Sequence, residues 1–324
     1  MNAHYATSRA IPMALLVWAS LQIPGPSPTP PANSQGYSIS REVDFVVLPV
    51  TVLDRKGQFV SGLDASNFRV YENGHPQTIS LFRSEEIPVT VGIVVDRSGS
   101  MAARSTDVIE GAQAFVDASN PQDQEFVVNF TDKINLGLPA NAPFTSDPSK
   151  LRAALSVPSA SGQTALYDAV IAALQHVDRS HAGKKVLILI SDGGDNASQH
   201  GFAQALRAAQ SANVIIYSIG LYDEHSSDQN PRVLRRLATE TGGLDYSPTT
   251  AEDVARVCRQ IAGDIRHQYT IGYDPTDNIG KSYRKISVEV VSAAHGKLTV
   301  RTRAGYYPAA AKQAGSQAPP EGNR

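Results

Sequence analysis

Apolar residues recur along this chain in two rhythms, and the switches between them mark three regions. In the first, residues 43–53 (VDFVVLPVTVL) are apolar on both faces and rich in β-branched side chains, and Asp54-Arg55-Lys56-Gly57 reads as the turn that follows. Residues 68–71 and 78–82 are short strand candidates flanking Asn73-Gly74, a hairpin signal. No helical period occurs there. From Val89 the pattern changes. Apolar strand-like runs at 89–95, 125–130, 185–190 and 214–219 alternate with helical patterns at 106–118, 148–155, 165–177, 201–210 and 231–241. After a further helical pattern at 251–265, strand character returns at 269–273, 283–291 and 298–303, with Ile286, Val288 and Val290 in alternation.

Alternating strands and helices imply βαβ units. The middle region is therefore expected to be an α/β fold, a doubly wound and mostly parallel sheet with helices on both faces. Continuous apolar strands such as VLILI fit burial on both sides of such a sheet. Each β-rich flank alone offers only about three short strands, too few to enclose a two-sided core. Residues 37–86 and 266–308 are thus expected to pack together as one small antiparallel β domain. Residues 87–265 would be inserted between them, with the two ends of the insertion close together.

Composition narrows the class. Of 324 residues, 41% are hydrophobic and 19% charged, enough for one large domain with a real core plus an accessory one. A formal net charge of −2, with no basic block, argues against a nucleic-acid partner. The single cysteine, Cys258, rules out an internal disulfide or a cysteine metal cluster and reads as a small buried hydrophobe. Near the N-terminus, Arg9 precedes an apolar stretch, residues 11–21, and Val17-Trp18-Ala19 offers a cleavage point. That stretch is too short to span a bilayer and has the length of a signal-peptide core. Residues 1–22 are expected to be a signal peptide directing export (secreted, periplasmic or cell-surface), with no transmembrane span. No cysteine follows to carry a lipid anchor. Residues 23–36 read as a Pro/Ser-rich linker and 309–324 as a disordered tail.

The segment with the most chemistry is VGIVVDRSGSM, residues 91–101. An apolar strand ends in Asp96, after which Ser98 and Ser100 alternate with Arg97 and Gly99. Open α/β sheets bind ligands outside the carboxyl ends of their strands. One carboxylate and two hydroxyls gathered there suit a hard cation, Mg²⁺ or Mn²⁺, and not zinc or copper. This segment resembles the metal-ion-dependent adhesion site (MIDAS) of von Willebrand factor A domains, which adds a threonine from a second loop and an aspartate from a third. SGQTALYD (161–168) matches the second loop through Thr164, and ISDGGDN (190–196) matches the third through Asp192. All five positions, Asp96, Ser98, Ser100, Thr164 and Asp192, stand in the family's order. The resemblance covers residues 89–265. The flanking segments VTVLDRKGQFVSGLDASNFRVYENG, YTIGYDP and RAGYYP are similar to exported bacterial proteins with related A domains.

The resemblance implies one Mg²⁺ (or Mn²⁺), coordinated by these five side chains directly or through water. One coordination position is left for an Asp or Glu carboxylate of a partner protein. That is adhesion-type binding without turnover. Two rivals use the same site: a metal-assisted hydrolase, and a structural A domain without a dedicated ligand. A cytoplasmic A domain serving an ATPase is disfavoured by the exported-looking N-terminus. No G-x-x-x-x-G-K-[ST], G-x-S-x-G or H-E-x-x-H motif supports an enzyme. Arg97 is expected to face solvent, Asp195 to be a solvated loop carboxylate, and Asp168 a helix-start residue. His176, His181 and His200 lack metal-ligand spacing and are expected on the surface. Oligomeric state is not legible.

Overall fold

The computed structural model describes residues 45–84, 87–157, 162–223, 228–276 and 282–308. The expected signal peptide, linker and C-terminal tail lie outside these residues. The first described element is β1 (Val46–Leu53), whose Val46, Leu48 and Val50 are buried in alternation. Next come β2 (Phe68–Glu72) and β3 (His75–Gln77), joined by Asn73 and Gly74 with φ of 50° and 84°. Two successive left-handed residues make the tight turn whose twist matches a hairpin. The hairpin is shorter than the pattern predicts. β3 is three residues long and carries Pro76, which has no N–H to extend the ladder, so it ends its sheet. Residues 79–83 form a separate strand, β4 (Ile79–Arg83), which pairs elsewhere.

The middle region runs β5 (Val89–Asp96), α1 (Ser105–Ala118), β6 (Gln124–Phe130), β7 (Ile134–Leu136), α2 (Pro148–Leu155), α3 (Leu166–Val177) and β8 (Lys184–Ser191). It continues through α4 (Phe202–Ser211), β9 (Ile215–Gly220), α5 (Pro231–Thr241), β10 (Asp245–Tyr246) and α6 (Ala251–Arg266). Cap chemistry starts several helices where the sequence marks them. Asp147 accepts from Ser149 N (2.9 Å) ahead of Pro148, and Thr250 accepts from Asp253 N (3.1 Å). The sheet order is β10-β9-β8-β5-β6-β7, parallel except for β7. Val91, Ile93 and Val95 pack toward α1, α2 and α6, while Val94 packs toward α3, α4 and α5. All eight residues of β5 are buried, as a strand covered on both faces requires. β7 and β10, at three and two residues, are too short to leave a periodic signal.

The last elements are β11 (Tyr269–Tyr273), β12 (Arg284–Val290), β13 (Thr299–Arg301) and β14 (Gly305–Tyr306). They join the first four strands in two antiparallel sheets, ordered β13-β1-β11-β4 and β14-β12-β2-β3. Val46 stands opposite Tyr273 and Ile286 opposite Glu72. One apolar cluster is shared by both sheets, with Leu48, Val50, Phe68, Val70, Ile271 and Ile286 among its members. Within it, Glu72 accepts from Arg284 Nη1 (2.9 Å), Tyr273 OH (2.7 Å) and Tyr306 OH (3.0 Å). Arg83 pairs with Thr270, so the chain entering β5 runs beside the chain leaving α6.

A second buried carboxylate ties the β-rich flanks to the parallel sheet. Asp264 on α6, 2% exposed, accepts from Thr51 Oγ1 on β1 (3.2 Å), Tyr217 OH on β9 (2.6 Å) and the Arg301 guanidinium on β13. Removing the cation would leave a charge stranded in the interior. Arg301→Met is expected to cost about 3 kcal/mol of unfolding free energy, measured by urea denaturation. Adding Asp264→Asn should restore part of the loss.

Candidate functional site

Three loops meet at the carboxyl ends of β5 and β8. The first begins at Asp96, which is 1% exposed. Its Oδ1 accepts from Ser98 N (2.9 Å), folding the chain back over the strand end. Its Oδ2 accepts from Ser191 Oγ (2.6 Å) on β8. The loop then turns so that the Ser98 and Ser100 hydroxyls lie 3.2 Å apart. The second loop brings Thr164, whose N–H donates to Asn196 Oδ1 (2.8 Å). Its carbonyl accepts from Asn196 N (2.9 Å) and Ala197 N (3.0 Å). Gly99 N donates to Gly162 O (3.3 Å), closing the first loop on the second. The third loop carries Asp192, 2% exposed, with Oδ1 accepting from Gly194 N (2.9 Å). Gly193 adopts φ +82°, and a Cβ there would stand 2.4 Å from the Asn230 carbonyl. Only glycine permits that approach.

Burial pushes the Asp96 carboxyl up to about 6; the bonds from Ser191 and Ser98 offset part of this, and the nearby Asp192 charge adds to it. The neighbouring Arg97 guanidinium feels the Asp96 charge but donates to Asn129 and Leu155 instead. The five residues expected to hold an ion would offer two carboxylates and three hydroxyls, all hard oxygen ligands. Among the described residues no three His, Cys, Asp or Glu side chains come together as a metal-holding group. Any cation here would depend on the hydroxyls. The donor set fits Mg²⁺ or Mn²⁺ on those grounds.

Several neighbours differ from expectation. Arg97 is not solvent-facing: it is 2% exposed, its Nε donates to Asn129 Oδ1 (3.1 Å) and its Nη2 to the Leu155 carbonyl. Asn129 on β6 and the end of α2 offer the acceptors that make this burial tolerable, and burial still lowers the Arg97 pKa. Asp195 is not merely solvated. Its Oδ1 accepts from Tyr167 N (3.2 Å) and Ser198 Oγ (2.5 Å), capping the start of α3 from the third loop. Asp168, in the first turn of α3, reaches the other way to Gln199 N (2.9 Å), His200 N (3.0 Å) and His200 Nδ1 (2.7 Å). His176 is buried, with Nε2 3.0 Å from Pro143 O and its ring against Phe126 and Phe144. His181 and His200 are exposed. Cys258 is fully buried, its thiol pushed up to about 12 by burial. Ser191 and Asn196, which orient the site, escaped sequence reasoning. The only trace of Ser191 is a polar residue closing an apolar strand.

Residues 90–260 match the family model of the von Willebrand factor type A domain. No curated protein sequence matches the chain. Among solved structures, the von Willebrand factor type A protein from Catenulispora acidiphila is 16% identical, over 84% of this chain and 75% of that one, with a TM-score of 0.50. The vWF domain of the type V pili tip protein Mfa5 from Porphyromonas gingivalis is 16% identical, over 56% of this chain and 95% of its own, with a TM-score of 0.47. Proximal thread matrix protein 1 from the mussel byssus, solved with a zinc-occupied MIDAS motif, is 18% identical, over 60% and 49%, with a TM-score of 0.47.

The reciprocal ties between α3 and the third loop make a separable prediction. Asp195→Ala should speed hydrogen exchange at the Tyr167 amide about tenfold, the scale of one lost hydrogen bond. Asp168→Ala should leave that amide alone and speed exchange at Gln199 and His200. Amide exchange read by NMR distinguishes the two.

Proposed function

The chain belongs to the von Willebrand factor type A domain family, and from that premise we propose that it is an exported, divalent-cation-dependent binding protein of the adhesion type. Asp96, Ser98, Ser100, Thr164 and Asp192 would hold the ion, Mg²⁺ or Mn²⁺, as an intact MIDAS. The ligand is an Asp or Glu carboxylate on a partner protein. The observation that supports this reading is the meeting of three loops around a buried Asp96 whose two oxygens take hydrogen bonds and, among the described residues, no ion pair. When bound, the ion supplies a positive charge with an exchangeable position for a carboxylate oxygen.

The chain's own residues prepare that position. Ser191 and the Ser98 N–H fix both oxygens of Asp96, so the carboxylate does not swing away from the loops. Asn196 fixes the backbone of Thr164 and leaves its hydroxyl free of that task. A binding module is preferred to a hydrolase because the five residues are hard oxygen ligands standing in the order of an adhesion-type site. In this reading, residues 87–265 are the binding domain, and 37–86 with 266–308 form its β-rich accessory domain, facing the cell.

Two outcomes test it. Calorimetry of the purified protein should find one Mn²⁺ or Mg²⁺ site of modest affinity, tightened by acetate and weakened at least tenfold in Asp96→Ala, with the circular dichroism spectrum unchanged. Absence of cation binding in the wild type ends the proposal. Thr164→Ala should weaken capture of acetate-bearing ion more than it lowers the melting temperature, because Thr164 is the sole contribution of its loop. Wild-type capture by that variant would remove Thr164 from the site.

A further inference from the structure

The opposite end of the parallel sheet holds a carboxylate that the fold does not use. Asp123 precedes β6, and its role is structural: its oxygens accept from Val89 N (3.0 Å) and Asn120 N (3.1 Å). Glu125, two residues on, is 2% exposed, and its Oε1 has no hydrogen-bond partner among the described residues. Arg152 pairs with Asp117, which lines the same cleft as Glu125, and Arg266 donates to the Ala118 carbonyl. Burial pushes Glu125 up to about 7, the Ser119 hydroxyl draws it partly back, and the Asp123 charge adds to the rise. A buried, unpaired acceptor is destabilising, and an apolar residue at this strand position would serve the core better. Such a group persists where something outside the fold uses it.

Glu125 lines a cleft of about 380 Å³ between the end of α1, the start of β6 and the first turn of α2. Val116, Pro121, Pro148 and Leu151 give the cleft apolar walls. A carboxylate oxygen accepts and never donates, so its missing partner is a donor, and burial favours a charged one. An ammonium or guanidinium on an aliphatic stem suits both the acid and the apolar walls. We propose that this cleft is a second binding site, remote from the metal loops, that takes a lysine or arginine side chain of a partner polypeptide onto Glu125.

The test uses the full chain at pH 8.5 with EDTA, so that it is independent of the metal site. The probes are a blocked Gly-Lys-Gly peptide, its norleucine counterpart and free butylammonium. Calorimetry should find the lysine peptide bound at least tenfold more tightly than the norleucine peptide, and at least tenfold less tightly by Glu125→Gln. Glu125→Gln should also melt about 2 °C higher than wild type, since the amide relieves the buried charge; a carboxylate kept for the fold alone would make it melt lower. Ser146→Trp, at the exposed rim of the cleft, should abolish peptide binding with the melting temperature unchanged. Equal binding of the two peptides, retained binding in either variant, a lower melting temperature for Glu125→Gln, or binding of butylammonium alone would overturn the proposal.

Discussion

A strand covered on both faces has only its ends free for polar chemistry, and β5 is such a strand along its whole length. Its neighbours β6 and β8 run parallel to it in continuous register. The connections after β5 go to β6 on one side and, later, to β8 on the other, so the chain changes direction at the carboxyl end of β5. That is where an open sheet leaves a crevice. Asp96, Ser191 and Asp192 stand there because they close the two central strands. Hydrogen bonds between loops then do the fine placement.

The molecule treats its buried charges in three distinct ways. Asp264 and Glu72 each meet an arginine and two hydroxyls, so both are neutralised and satisfied. Asp96 is satisfied by hydrogen bonds and makes no ion pair among the described residues. Among the described residues Glu125 makes no ion pair and, at one oxygen, accepts from no donor. The first arrangement is complete in itself. The other two make no ion pair among the described residues, and both lie near strand ends. Desolvation makes a charge costly in proportion to what is missing around it. On the readings proposed above, that ordering separates groups that hold the fold from groups that wait on a ligand.

Much of this was legible in the sequence because parallel strands and amphipathic helices each leave a period. The runs at 89–95 and 185–190 became β5 and β8 with shifts of one residue at the ends, and the alternation at Ile286, Val288 and Val290 became β12. The D-x-S-x-S motif was legible because its residues are contiguous. Contacts made across the sheet were not. Arg97 reads as a surface arginine until Asn129, on a different strand, offers it an acceptor. His176 reads the same way until Phe126 and Phe144 close over it. Asp168 and Asp195 gain their roles from partners about thirty positions away. The β4 strand was found but assigned to the wrong neighbour, since turn chemistry fixes only the strands it joins directly.

The pairing of Val46 with Tyr273 and of Thr51 with Arg301 has a consequence for how the molecule is made. As the chain emerges from its N-terminus, β1 and β2 appear long before β11 and β12, their principal partners. The inserted α/β unit, by contrast, has all its strands and helices in one contiguous stretch. It can collapse first, and once folded it brings Arg83 and Thr270 side by side. That shortens the effective loop between the flanks and removes most of the entropy of closing it. Until then β1 is an unpaired apolar edge, open to association with other chains. The order of synthesis thus suits the inserted unit to template its own support, with β1 made before that unit and paired after it.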